Sequence, residues 1–215
     1  KVAAVGDVGA VTPFVYTELM VKHNDHVTGA ILKGVDLETV GEVTSLVDSL
    51  DRGPDGELTT DAQKQALMAT IDDPWPRPEG RVIEDPHAEL PGILLGEEMA
   101  MVLRATAGDI VLVTSPFGEP GPFGTMVTTM QKFRVKGIFY SGMYEYDTKW
   151  TYVANAEAQE FLDLGPKVTG IEVRVSNIDA VERVSDEIES LVGYPLYTRH
   201  WKNLNQKLFE ALELE

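Results

Sequence analysis

Val168-Thr169-Gly170-Ile171-Glu172-Val173-Arg174-Val175-Ser176 sets Ile171, Val173 and Val175 against Glu172, Arg174 and Ser176, the period-two pattern of a strand with one buried face. Asp179 with Glu182 then has the spacing of a capping box. Val181, Val184, Ile188 and Leu191 follow at helical spacing until Gly193 and Pro195 stop the run. Leu196–Trp201 reads as the returning strand. A strand, an amphipathic helix and a strand bury one helix face on a sheet, as in split β-α-β folds. The pattern predicts an α+β protein. A last helix, from near Asn203, carries Leu204, Leu208, Phe209, Leu212 and Leu214 to the end.

Toward the N-terminus, Lys1–Val5 reads as the tail of a helix closed by Gly6. Val11–Lys22 is rich in β-branched and aromatic residues and reads as a strand; Asn24-Asp25 supplies turn chemistry, and His26–Gly34 returns as its partner. Asp36 is expected to open a helix with Leu37, Val40, Val43, Val47 and Leu50 on one side, stopped by Arg52-Gly53-Pro54. Thr60 and Gln63 form a capping box for a second short helix ending near Ile71. Asp72–Pro91 holds five of the twelve prolines and has the character of a linker, pinned to the body by Trp75. Gly92–Leu95 reads as a short buried strand, followed by a helix from Gly96 to about Arg104. Lys149–Ala154 reads as a strand, and Asn155 as the cap of a helix that Gly165-Pro166 ends.

Between the strand-like runs Asp109–Thr114 and Met130–Tyr140 lies Ser115–Thr129. Three prolines and three glycines within 115–124 exclude a helix there. A chain reversal needs only two to five residues, so the spacing predicts a projecting β-hairpin arm. Phe117, Phe123, Met126 and Val127 make its apolar side chains a docking surface; a loop folded back on its own domain is the competing reading. On the strand leaving the arm, Lys132, Arg134 and Lys136 share one face, and Phe133, Val135 and Phe139 the other. The basic face suits an acidic partner, or equally a solvated edge that blocks aggregation.

The net charge of −17 argues against a nucleic-acid backbone and against an anionic membrane surface as partners. With no cysteine, disulfides, thiolate metal sites and thiol nucleophiles are excluded. His23 and His26 flank a turn without a third ligand, so they read as solvated turn residues rather than a metal site. Glu97 and Glu98 read as first-turn charges of a helix rather than an acid–base pair. No phosphate loop and no nucleophile elbow appears, and no cofactor is implied. The chain starts at Lys1 and ends within a helix-like run, so both ends look cut and the question of flanking membrane segments stays open.

Several stretches taken in order carry a resemblance. Val27–Asp36, Gly92-Ile93-Leu94-Leu95-Gly96-Glu97-Glu98, Gly108–Val113, Pro122-Phe123-Gly124, Phe133–Phe139 and the ending with Trp201, Asn205, Leu208, Phe209, Ala211 and Leu212 resemble the periplasmic domain of lipoprotein-releasing ABC permeases of the LolC or LolF type, within the MacB-type periplasmic fold. The stretch 44–91 departs from that pattern.

The resemblance implies a discontinuous β-α-β Porter-like subdomain over 1–50 and 165–215, an insertion with a Pro-rich linker over 51–91, and a smaller, β-rich Sabre-like subdomain over 92–164. It implies a hook hairpin at 115–129 that captures a LolA-type lipoprotein carrier through Phe117, Pro120, Pro122, Phe123, Gly124, Met126 and Val127, with a nearby pad at Gln131, Lys132 and Arg134. It also implies a periplasmic location on a bacterial inner-membrane protein, a LolD-like ATPase subunit, and a LolE-like or identical permease partner. Lipoproteins are then the cargo, and handover rather than catalysis is the task. Two alternatives stay open: the extracytoplasmic domain of a MacB- or FtsX-like mechanotransmitting permease, and a free-standing periplasmic ligand-binding protein or enzyme.

Overall fold

The computed structural model describes residues 1–75, 87–116, 119–120 and 126–204. Two compact units make up the chain: Thr12–Ile171, and Lys1–Val11 with Glu172–Glu215. The stretch 12–50, expected to stand with 165–215, belongs to the larger unit because its strands are tied there by pairing.

Two long strands, β1 (Val8–His23) and β2 (His26–Val35), form an antiparallel hairpin. Its turn places Asn24 at φ 52°, a conformation that Asn tolerates well. A single helical turn, α1 (Val40–Val43), leads to the short strands β3 (Leu50–Gly53) and β4 (Gly56–Glu57) and then to helix α2 (Asp61–Ala69). Next come β5 (Gly92–Gly96), α3 (Glu97–Leu103) and β6 (Ile110–Thr114). The two-residue strands β7 (Glu119–Pro120) and β8 (Met126–Val127) precede the long β9 (Met130–Phe139). α4 (Tyr144–Lys149), β10 (Trp150–Ala154) and α5 (Asn155–Phe161) complete the larger unit up to the start of β11 (Gly170–Val175). The smaller unit adds α6 (Val181–Val192) and α7 (Trp201–Leu204). The fold is α+β, as expected.

In the larger unit the pairings close on themselves. β1 pairs β2, β2 pairs β10, β10 pairs β5, β5 pairs β9, β9 pairs β6, and β6 returns to β1. Closure removes sheet edges and makes this a six-stranded barrel. Its interior takes alternate residues of every strand, among them Val15, Val21, Leu32, Ile93, Val111, Phe133, Val135 and Val153, all fully buried. Met99, Ala100 and Leu103 of α3 and Ala158 and Phe161 of α5 join the same cluster. Burial of each such aliphatic or aromatic side chain contributes about 1.5–3 kcal/mol. Gly34 lets α5 approach: a methyl there would meet the Ala158 Cβ at 2.6 Å.

A second core lies on the outside of the barrel. Val40, Leu46, Leu50, Leu67, Met68 and Ile71 pack on Val35, Leu94, Phe139 and Tyr152. The stretch 44–71 therefore clads part of the barrel's outer face. The pattern over Leu37–Leu50 does not produce the expected helix. Thr44 Oγ1 donates to the Val40 carbonyl at 3.1 Å and Ser49 Oγ to the Leu46 carbonyl at 2.7 Å, local bonds that compete with helix propagation. Only one turn forms, and Leu50 enters a strand. The Thr60–Gln63 capping box of α2 forms as predicted.

Gly92 and Gly96 bracket β5 for a steric reason. A methyl at Gly92 would collide with the Ile71 carbonyl oxygen, and one at Gly96 with the Asp147 carbonyl oxygen. The β5–β9 register slips between Ile93, opposite Val135, and Leu94, opposite Gly137, leaving Lys136 as the extra residue of a bulge. The slip corrects the expected face of Phe139: Phe133 and Val135 point into the barrel, whereas Phe139 joins the outer core.

In the smaller unit, Val181, Val184 and Ile188 of α6 are buried, with Val5, Val173 and Val175 against the same cluster. The expected cap is displaced: Asn177, not Asp179, accepts the first amide, that of Asp179, at 3.0 Å, and a 3₁₀ turn precedes the helix. Leu196–Trp201 does not form the expected returning strand. Thr198 instead bonds α6: its Oγ1 lies 2.6 Å from Ser185 Oγ and donates to the Glu189 carboxylate at 2.8 Å. The hydrogen bonds of Thr198 thus go to α6 rather than to a ladder.

Candidate functional site

The arm grows out of the barrel. β6 and β9 are paired from Ile110–Arg134 through Thr114–Met130, and the Ser115 amide continues the ladder by donating to the Thr129 carbonyl at 3.0 Å. Beyond it, Glu119 pairs with Val127 and Pro120 with Met126 in a two-stranded ribbon separate from the main sheet. A proline is tolerated in such a ribbon because its missing amide can face outward. Of the predicted arm residues, Pro120, Met126 and Val127 lie in this ribbon; Phe117, Pro122, Phe123 and Gly124 lie outside the described residues.

The basic face expected beside the arm is divided by the fold. Lys132 is exposed. Arg134 is only 7% exposed: Nη1 donates to the Gly108 carbonyl at 2.9 Å, Nη2 to the His87 carbonyl at 3.1 Å, and the guanidinium stacks 5.2 Å from the Trp75 ring centre. Lys136 is buried too, its Nζ donating to the Asp73 carbonyl and sitting 5.6 Å from the same indole. Burial pushes the Lys136 ammonium below the ordinary lysine range; Arg134 adds to this, while Asp73 and Asp72 oppose it. Arg134 is thus corrected from a surface contact to an internal clamp on the segment around Trp75. Trp75 does pin the linker: its backbone amide donates to the Ala88 carbonyl at 3.0 Å, and its indole covers the two cations. Gly108, at φ 99°, leaves the ring room; a methyl there would stand 3.1 Å from it.

Gln131 is half-buried and hydrogen-bonds the Glu157 carboxylate of α5. Burial raises the affinity of Glu157 for its proton, and the nearby charges of Asp72 and Glu160 add to the effect. His23 does not face its neighbour His26 in a ligand pair: Nδ1 lies 3.0 Å from the Leu103 carbonyl, so that nitrogen carries the proton, and Nε2 lies 3.9 Å from Asp109 Oδ2.

The sequence reading missed Lys22. The antiparallel registers set Val27, Lys22, Leu112 and Lys132 side by side on β2, β1, β6 and β9, all on the barrel's outer face. The alternation of Tyr16, Glu18, Met20 and Lys22 against Val15, Leu19 and Val21 was the available signal. What it lacked was the β1–β6 pairing that brings Lys22 beside the arm.

No family model matches the chain. It is 29% identical over 123 residues to the lipoprotein-releasing system transmembrane protein LolC of Xylella fastidiosa strain Temecula1, covering 57% of this chain and 29% of that protein. It is likewise 29% identical over 124 residues to LolC of Neisseria meningitidis serogroup B, covering 57% of this chain and 30% of that one. The chain thus spans less than a third of the length of these curated relatives. Among solved structures, the extracellular domain of the noncanonic ABC-type transporter YknZ from Gram-positive bacteria superposes with a TM-score of 0.51 at 14% identity, over 88% of this chain and 77% of that one. That likeness is one of fold. By sequence this chain is similar to the LolC proteins over a little more than half of its length, and its fold is similar to that of the YknZ extracellular domain.

Proposed function

We propose that this chain is the extracytoplasmic domain of a LolC-type ABC permease in a bacterial inner membrane, and that its arm docks a LolA-type carrier to which lipoproteins are handed. The observation that carries the reading is the paired ribbon: the β6–β9 ladder continues through Ser115 and Thr129 into β7–β8, clear of the main sheet, in a chain similar to LolC. Apolar side chains in a loop longer than a chain reversal needs suit a partner surface. Pro120 and Pro122 limit the entropy lost on docking, and Phe117, Phe123, Met126 and Val127 offer anchor area. Gln131 and Lys132, on the strand leaving the arm, contribute to the pad.

The domain itself performs no catalysis. A separate LolD-like subunit hydrolyses ATP, and a LolE-like or second identical permease completes the transporter. In support, none of the chemistry expected of an active site was legible in the sequence, and the buried Arg134 and Lys136 are committed to backbone carbonyls and an indole.

Phe123→Asp is expected to cost at least tenfold in affinity for the LolA homologue of the same organism, measured by biolayer interferometry, with the melting temperature unchanged. Undiminished carrier binding by that variant would count decisively against the reading. A domain serving another periplasmic partner would behave in that way.

A further inference from the structure

We infer that segment 194–202 of the smaller unit is a lipid-interface anchor. Tyr194, Leu196, Tyr197 and Trp201 enter the headgroup layer of a phospholipid bilayer, with Arg199 at the phosphates. The inference rests on the reading of the chain as a permease domain, which puts a bilayer beside it. It assigns a partner, lipid, that the arm does not address.

The segment is fastened but has no core of its own. Thr198 ties it to α6 through Ser185 and the Glu189 carboxylate. The apolar side chains on either side of that tie are left outside: Tyr194 is 99% exposed, Tyr197 70% and Leu196 61%. Neither they nor Trp201 belong to the cluster that Val5, Val184 and Ile188 build. Leu191 continues the stripe of Val181, Val184 and Ile188 by helical spacing, yet it too is exposed, just before Gly193 closes the helix. Exposed apolar residues scattered singly are ordinary. Leu191, Tyr194, Leu196, Tyr197 and Trp201 follow one another closely in the chain, and such a concentration marks a contact surface.

Chemistry selects the occupant. Tyr and Trp have an apolar body and a polar tip, the combination that suits a boundary between hydrocarbon and water. The cations stand beside these rings: the Arg199 guanidinium lies 5.7 Å from the Tyr197 ring centre and Lys202 Nζ 5.7 Å from that of Trp201. Long basic side chains so placed lay their stems along apolar surface and hold their heads in the polar layer. No Asp or Glu occurs from Ser190 through Phe209, in a chain of net charge −17. The acids that α6 brings against the segment are engaged, Glu182 with Lys202 at 3.0 Å and Glu189 with Thr198. The charge of the whole chain repels an anionic bilayer. Contact is thereby confined to the segment that departs from that balance, and its rings rather than bulk charge supply the affinity. The curated relatives are named as transmembrane proteins, which in the proposed reading sets lipid within reach of this unit.

The test is flotation of the chain with vesicles of phosphatidylethanolamine containing a minor share of phosphatidylglycerol, at about 150 mM salt. The native chain is expected to float with them. Y194S/L196S/Y197S should lower its partition at least roughly tenfold, because the apolar area that enters the interface is gone. R199E should lower it about fivefold, and R199K should match the native chain. Y140S/Y144S, which removes two exposed tyrosines of the larger unit, should leave it unchanged. All four variants substitute exposed side chains, so melting temperatures should agree. If the native chain does not float, or the triple variant floats as well as it does, the inference falls. Carrier binding by the same samples is scored separately: binding without flotation leaves the reading of the arm standing, and flotation without binding removes that reading and keeps the anchor. A native dimer in sedimentation velocity that the triple substitution dissociates, with no flotation, would give the segment to a second copy of the chain and overturn the inference.

Discussion

Lys132 and Lys136 sit four residues apart on β9, in a run that reads as one basic face, yet the fold treats them oppositely. Lys132 is exposed beside the arm, whereas Lys136 is 2% exposed, bonded to the Asp73 carbonyl and roofed by Trp75. The difference lies in what crosses over the strand. The segment before and after 76–86 brings Asp73, Trp75, His87 and Ala88 over one end of β9 and leaves the other end bare. Period-two alternation reports which way a side chain points from its sheet. It carries no information on whether a distant stretch of chain will cover that side. A cation under such a cover holds structure together; a cation outside it is available to a partner.

The comparison breaks most visibly at Lys136. Lys136→Glu places a carboxylate against the Asp73 carbonyl and deprives the indole of its cation, and it is expected to cost about 3–5 kcal/mol of stability by chemical denaturation. The same substitution at Lys132 should change stability by less than about 0.5 kcal/mol, so equal effects at the two positions would erase the distinction. Trp75→Ala comes next. Loss of a half-buried indole that roofs Arg134 and Lys136 is expected to cost about 2–3 kcal/mol and to speed amide exchange along Arg134–Phe139 more than along Met130–Phe133. Uniform exchange over the whole of β9 would show that the cover does not divide the strand.

The smallest effect concerns pH. The folded Glu157 carboxyl holds its proton to higher pH than the unfolded one, because burial and the charges of Asp72 and Glu160 disfavour its anion. Over the window above the ordinary glutamate value the folded state therefore binds the extra proton, and stability falls as pH rises through it. Glu157→Gln keeps an acceptor for Gln131 and removes the penalty. It should add roughly a few tenths of a kcal/mol at neutral pH and flatten the decline between about pH 4.5 and 7. An unchanged slope in thermal melts across that range would clear Glu157 of the effect.

Much of the local structure was legible. The β1–β2 hairpin, the Thr60–Gln63 cap of α2, the buried β5 run and the amphipathic face of α6 follow from alternation, capping chemistry and helical spacing, which are local in sequence. The failures share one cause. Leu37–Leu50 carried a helical period, but its threonine and serine side chains bond nearby carbonyls and its apolar groups are satisfied by packing on the barrel. Leu196–Trp201 looked like a strand, but side chains of α6 supply its partners. Phe139 was assigned to the wrong face because a bulge at Lys136 depends on β5, forty residues away in the chain.

By itself the sequence determined that this is an α+β chain without thiol chemistry, that no helix runs through the proline- and glycine-rich 115–124, and that 92–95 is a short buried strand. Tertiary structure decided that the strands close into a barrel, that Gly92 and Gly96 admit the Ile71 and Asp147 carbonyls, that Arg134 is a clamp, and that Lys22 stands beside the arm. The reason is physical. Turns, caps and periodicity are set by residues within a few positions of each other, whereas closure, cover and register are set by contacts between segments far apart in the chain.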